Sequence, residues 1–423
     1  MRRPRGTRDL FGEELARIRH VERVILDIFR RYGYQEVETP VFESLELFTK
    51  KSGSSIVDQI YAFKDKSGRE LALRPELTAP VVRLYNEHLR SSPKPLKLFY
   101  LGHCFRYERP QIGRGRYRQF LQAGCEIIGS SRPEADAEVV ALTAEIVEEL
   151  GIKKCELRLG NVRLLREVLK RAGVSETEQD PIMRAIDSRD EIRLQAELDR
   201  WGIEEEDKKL LKSLISLRGG EKVLEDVREL IQGLPEATKA LEKTKSIIDR
   251  LKWFGVHKFS IDFGISRGLE YYTDFVFELY SGGIQLGGGG RYDNLIELLG
   301  GEPCPAVGVG LGVDRIADAL ERHGVETPED RLDCMVLPTT DEIIGEALRI
   351  AGELRRAGFS ADVDLMGRSL SKGLSYANSR KAKFAVVVGP RDLKVGKVTI
   401  RKMKSGEQER VDRKRLTEFL SLG

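Results

Sequence analysis

Across residues 161–250 the chain is filled with Leu, Glu, Lys and Arg and is almost free of aromatic residues. That composition reads as helix throughout. Strand-like runs stand on both sides of it, at 156–159 before and at 259–263 and 275–279 after. A chain that leaves a sheet, builds helices for ninety residues and returns to the sheet has few folds open to it. We expect a helical insertion into a mixed or antiparallel sheet, with a solvated helical linker as the alternative.

The flanking segments support a sheet domain. At 13–32, Leu15, Ile18, Val21, Ile25, Ile28, Phe29 and Tyr32 fall at helical spacing, and Gly33 ends the helix. Residues 34–40 alternate like a strand and stop at Pro40. Short strand runs follow at 71–73, 96–101 and 122–128. A charged, proline-bearing linker is expected at 327–332. Beyond it the pattern alternates: strand 334–338, helix 342–357, strand 361–364, helix 370–379 and the apolar strand 384–389. This predicts a small α/β domain with a largely parallel sheet. Lys402-Met403-Lys404-Ser405-Gly406 reads as a basic hairpin.

No apolar run reaches the roughly 18 residues of a membrane span. The basic amino terminus leads into no apolar segment, so we expect no secretory signal there. Cys104, Cys125, Cys155, Cys304 and Cys334 are scattered, without the paired spacing of a zinc site or disulfide framework, which fits a reducing cytosol. The net charge of +3 predicts no nucleic-acid binding by itself. Its distribution is more telling. Residues 380–415 hold 13 Lys/Arg against 4 Asp/Glu, and residues 106–118 hold five arginines and one glutamate. Such patches can meet phosphates on a nearly neutral chain.

Four segments carry candidate chemistry. Phe105-Arg106-Tyr107-Glu108-Arg109-Pro110, a loop with Gly113, Arg114, Gly115 and Arg116, and Gln122 to Glu126 set arginine forks suited to carboxylate or phosphate. Gly287-Gly288-Gly289-Gly290-Arg291-Tyr292-Asp293 lets backbone approach a ligand, or forms a flexible hairpin; it lacks the Lys-Ser/Thr of a phosphate-binding P-loop. In Gly308 to Arg315 a small-residue strand feeds a helix whose first turn bears Arg315. A cation there opposes the helix dipole unless an anion binds beside it. Finally, Arg267-Gly268-Leu269-Glu270-Tyr271-Tyr272 precedes the apolar run Phe275-Val276-Phe277. So many polar tips beside a buried strand need partners.

Together these segments resemble the class II aminoacyl-tRNA synthetases, and within them the histidyl-tRNA synthetases. The resemblance spans nearly the whole chain. Residues 34–40 resemble motif 1, the dimer-interface element; Arg106 to Glu126 resemble motif 2; Gly308 to Arg315 resemble motif 3. Arg267-Gly-Leu-Glu-Tyr-Tyr and Gly-Gly-Arg291-Tyr-Asp are the distinctive signatures of the histidyl enzymes. Two departures stand out: Glu270 where the family usually has Asp, and a motif 2 loop longer by about two residues.

The resemblance implies an α+β fold: a mixed, mostly antiparallel catalytic sheet (1–160 and 251–326), a helical insertion (161–250) and a C-terminal α/β anticodon-binding-like domain (332–423). It implies that histidine and ATP, with Mg2+ on the phosphates, give histidyl-adenylate, and that the acyl group then passes to the cognate tRNA. By motif position, Glu76, Thr78 and Gln122 hold the substrate ammonium, and Glu126, Tyr271 and Tyr272 read the imidazole. Arg106 bridges carboxylate and α-phosphate, and Arg267 stabilises the α-phosphate in the transition state. Glu108, Arg116 and Arg315 contact ATP. A cytoplasmic homodimer is implied, with no dedicated metal ligands. Two competing readings are a histidine-binding regulatory subunit of ATP phosphoribosyltransferase and a synthetase for another amino acid.

Overall fold

The computed structural model describes residues 1–50, 58–110, 115–266, 271–327 and 332–421. The chain divides into two compact units, 1–328 and 329–423. The described strands of the first unit are β1 (Gln35–Glu36), β2 (Phe42–Ser44), β3 (Ala62–Lys64), β4 (Glu70–Leu73), β5 (Leu96–Phe105), β6 (Gln119–Ile128), β7 (Cys155–Asn161), β8 (Arg218–Gly219), β9 (Ser260–Asp262), β10 (Phe275–Ser281), β11 (Ile284–Arg291) and β12 (Ala306–Gly312). Nine of them form one sheet in the order β1-β5-β6-β12-β11-β10-β7-β9-β8. From β5 to β7 every pairing is antiparallel; β1 joins β5 and β9 joins β7 in parallel. A mixed, mostly antiparallel sheet is what the sequence led us to expect. A small second sheet, β2-β4-β3, stands beside it.

One face of the large sheet is covered by helices. Helix Gly12–Arg31 buries Ile18, Val21, Ile25, Ile28 and Phe29, a stripe at helical spacing. It has acids in its first turn and arginines in its last, as the helix dipole favours. Helices Pro133–Glu149 and Val313–Arg322 share this core. Residues 162–253 are mostly helical, but β8 interrupts them and closes the edge of the sheet against β9. Leu164, Val168, Leu214, Ile247 and Ile248 enter the same apolar core as the sheet.

β11 was not legible as a strand, because four consecutive glycines have poor strand propensity. The turn before it explains its place. Ser281 pairs with Ile284 across Gly282 and Gly283, whose φ values are 56° and 75°. Two positive φ angles make the tight hairpin turn that matches strand twist.

The second unit contains β13 (Cys334–Pro338), β14 (Ala361–Val363), β15 (Phe384–Val388), β16 (Lys397–Lys402) and β17 (Gln408–Asp412), in the order β14-β13-β15-β16-β17. Cys334 and Val336 face helix Ile344–Arg356, while Met335 and Leu337 face helix Leu370–Ser379. This alternation gives the sheet two covered faces. Only β14, β13 and β15 are parallel; β16 and β17 are antiparallel. The largely parallel sheet expected from sequence is thus a mixed one. The short link from β15 to β16 holds only helix Pro390–Lys394, too little for the crossover that a parallel neighbour requires. The basic hairpin at 402–406 is the turn between β16 and β17.

Candidate active site

The open face of the large sheet carries a cavity of about 430 Å³. A row of small residues makes its floor. Gly310 of β12 pairs with Gly288 of β11, and both line the cavity together with Gly287, Gly308 and Gly312. Removing side chains along a row leaves a trough one side chain deep. The space is already taken by functional groups. A Cβ on Gly308 would stand 1.6 Å from Glu126 Oε2, and one on Gly310 would stand 2.5 Å from Gln122 Nε2. The glycine run read as a ligand approach or a flexible hairpin is therefore strand, and Gly287 and Gly288 line the cavity.

One end of the cavity is acidic and phenolic. Glu126 is buried and accepts a hydrogen bond from Tyr100 Oη at 2.9 Å and another from Tyr292 Oη. Burial pushes its carboxyl up to about 8, although the two phenols partly oppose that. Tyr271 and Tyr272 are buried and line the same cavity. Their rings lie 4.8 Å apart, and Tyr271 meets Tyr292 edge-on at 5.7 Å. Tyr271 and Tyr272 were expected here; Tyr100 and Tyr292 were missed. Tyr292 was signalled by its place after Arg291 in the glycine motif. Tyr100 had no signal beyond lying in a strand.

The segment after the tyrosine pair is anchored to the last residues of β7 and β11 and to helix Pro235–Trp253. Thr273 N donates to Arg291 O at 2.8 Å. Asp274 accepts from Asn161 Nδ2 at 2.7 Å and from Lys243 Nζ at 2.6 Å. Arg291 itself does not line the cavity. It is fully buried and forks onto Asp136 at 2.9 and 2.7 Å, with Asp293 at 3.1 Å.

Glu76 and Thr78 stand at the start of helix Thr78–Leu84, on the cavity wall. The Glu76 carboxylate accepts from Thr78 N at 2.5 Å and Ala79 N at 2.9 Å, satisfying amides that the helix leaves free. Burial raises its pKa, while these amides and Arg106 pull it down. A carboxylate has lone pairs to spare for a further donor. Gln122 Oε1 accepts from the Cys104 thiol at 3.2 Å. Asp187, from helix Asp180–Asp187 of the helical stretch, also reaches the cavity and was not foreseen.

The other end is cationic. Arg106 Nε donates to Pro75 O at 2.8 Å, and its guanidinium lies 5.3 Å from the Phe120 ring centre. Arg315 Nη1 donates to Gln285 O at 2.9 Å. Arg116 lies 3.9 Å from Glu108. Burial lowers the pKa of Arg315, and Arg116 and Arg106 add repulsion. Arg106 and Arg315 are partly buried and Arg116 is exposed; cations that converge in this way are stabilised by an anion. Glu278, on the same wall, accepts from Tyr280 Oη at 2.9 Å and Gln285 Nε2 at 2.7 Å. The structure thus brings Glu76, Thr78, Arg106, Glu108, Arg116, Gln122, Glu126, Tyr271, Tyr272 and Arg315 to one cavity. Arg267, Glu270, Gly113 and Arg114 lie outside the described residues.

A family model described as histidyl-tRNA synthetase matches residues 6–316, and one described as an anticodon binding domain matches 333–421. A histidine–tRNA ligase of Methanocaldococcus jannaschii is 43% identical over 420 residues, 99% of either chain. One from Thermococcus kodakarensis is 42% identical, covering 98% of this chain and 97% of the other. A solved histidyl-tRNA synthetase from Nostoc sp. PCC 7120 superposes with a TM-score of 0.83 at 26% identity, covering 100% of this chain and 99% of that one. A Bacillus halodurans structure, described as an ATP phosphoribosyltransferase regulatory subunit/histidyl-tRNA synthetase, gives 0.79 at 26% identity, covering 92% and 98%.

Proposed function

The chain belongs to the histidyl-tRNA synthetase family, and from that premise we propose how its cavity performs the ligation of histidine to tRNA. The enzyme activates histidine with ATP and transfers it to the cognate tRNA. The observation that carries the assignment is the polarity of the cavity: a buried carboxyl under phenols at one end, converging arginines at the other.

The histidine ring belongs at Glu126. Near neutral pH the carboxyl keeps its proton, and a neutral imidazole can accept it. Tyr271 and Tyr272 complete the ring pocket with Tyr100 and Tyr292. An apolar side chain there would leave these groups unpaired, which rejects it strongly. Glu76, Thr78 and Gln122 take the ammonium. Arg106 then bridges the substrate carboxylate and the α-phosphate, with Glu108, Arg116 and Arg315 on the nucleotide. A carboxylate oxygen of histidine attacks the α-phosphorus, and pyrophosphate leaves. Arg267 stabilises the charge that builds on the α-phosphate. The terminal ribose hydroxyl of the tRNA then attacks the acyl carbon, and AMP leaves.

Mg2+ arriving with ATP would neutralise phosphate charge, and Glu108 and Glu278, which line the cavity, would offer it oxygen ligands without forming a dedicated site. We assign 1–160 with 251–326 to catalysis, 161–250 to contact with the tRNA acceptor arm and 332–423 to the anticodon. Residues 34–40 mediate a homodimer, and the enzyme works in the cytoplasm. No described helix is long and apolar enough to cross a membrane.

Exchange of pyrophosphate into ATP tests this. Histidine should support it, and Arg267→Ala should bind histidine yet exchange far more slowly. Exchange with a different amino acid would overturn the specificity. Histidine binding with no exchange at all would favour a regulatory role, one of the two that the Bacillus halodurans structure's description names.

A further inference from the structure

The amino-terminal residues pack against the segments that carry the cations of the cavity. Arg118 N donates to Gly6 O at 2.8 Å, and the Arg118 guanidinium lies 3.9 Å from the Tyr107 ring centre. Arg8 makes the central contacts. Its fork donates to Glu14 Oε1 at 2.6 Å and to Asp314, and its flat face lies 4.0 Å from the Tyr117 ring centre. The Arg8 side chain is 11% exposed and that of Asp314 only 4%. The second oxygen of Asp314 accepts from Leu121 N of β6 at 2.6 Å.

These partners are adjacent in sequence to the cations of the site. Asp314 precedes Arg315, and Tyr117 follows Arg116. The return arm that begins at Gly115 rests on Arg315: a Cβ on Gly115 would stand 2.5 Å from Arg315 Cγ. Arg8 therefore fixes both the helix turn that bears Arg315 and the arm that bears Arg116, without lining the cavity itself. The histidine end depends on other contacts, those of Glu126 with Tyr100 and Tyr292.

We propose that Arg8 is a positioning residue for ATP: its fork on Asp314 and its stack on Tyr117 hold Arg315 and Arg116 in register with the phosphates. The inference rests on the assignment of the cationic end to ATP. Arginine suits the task because one planar group makes the ion pair and the stack together, which lysine cannot do.

Histidine-dependent pyrophosphate exchange separates this role from simple stabilisation. Arg8→Met should raise KM for ATP about tenfold or more, as misplaced phosphate contacts do, with KM for histidine changed less than about twofold. Arg8→Lys keeps a cation near Asp314 and should recover part of the loss in ATP KM. If Arg8→Met does not fold, the ratio of the two KM values in Arg8→Lys decides alone. Equal rises in both KM values, or no rise in either, would overturn the proposal. Failure of the unaltered protein to exchange with histidine would instead count against the assigned function.

Discussion

Glu126 concentrates the chemistry of the ring pocket in one proton. Its folded pKa of about 8 lies above the roughly 4.3 of an unfolded glutamate. Between those values the folded chain holds a proton that the unfolded chain has released. Stability therefore falls as pH rises from about 4.3 to about 8. Glu126→Gln should remove that slope, read from urea unfolding at a series of pH values; an unchanged slope would assign it to other groups. Gly308 tests the space beside it. Gly308→Ala places a methyl group on the carboxylate, and should raise KM for histidine about a hundredfold. At this scale the sequence was legible where a residue type implies a partner, as with Arg106 and Arg315. It was silent on Tyr100, whose meeting with Glu126 depends on the register that pairs Tyr100 with Gly124.

Among the elements, β11 departs furthest from sequence expectation. A strand interior of four glycines is weak by itself and is held by neighbours on both sides. At its end Arg291 is locked to Asp136 of helix Pro133–Glu149, with both side chains fully buried. Truncating one partner of such a pair leaves an unpaired buried charge. Asp136→Leu should cost about 3–5 kcal/mol in denaturant unfolding; a loss below about 1 kcal/mol would contradict this anchoring role. The strongly periodic elements, such as helix Gly12–Arg31 and helix Ile344–Arg356, were legible because packing and local pattern agree. β8, β16 and β17 were not. β8 is two residues long, and the other two carry mixed polar and apolar residues, most of them not buried.

For the whole molecule, the change of pattern at the expected linker, 327–332, coincides with the division between the two compact units. The parallel character of the terminal sheet was overestimated, because sequence alternation does not give link lengths their geometric weight. The charge of that unit carries its own prediction. Lys402 and Lys404 are exposed at the β16–β17 turn. Replacing both with Gln should raise KM for tRNA. It should also make the slope of log affinity against log salt shallower by about one for each phosphate left without its lysine. Pyrophosphate exchange should stay unchanged; a matching fall in exchange would show damage to the catalytic unit instead.

The central claim is that one cavity both recognises histidine and activates it for transfer. Incubating the protein with labelled histidine, ATP, Mg2+ and tRNA tests it most directly. The account predicts label on the 3′ end of histidine-specific tRNA, abolished when Glu126→Gln replaces the unaltered chain. Tight binding of histidine with no label transferred to any tRNA would contradict it.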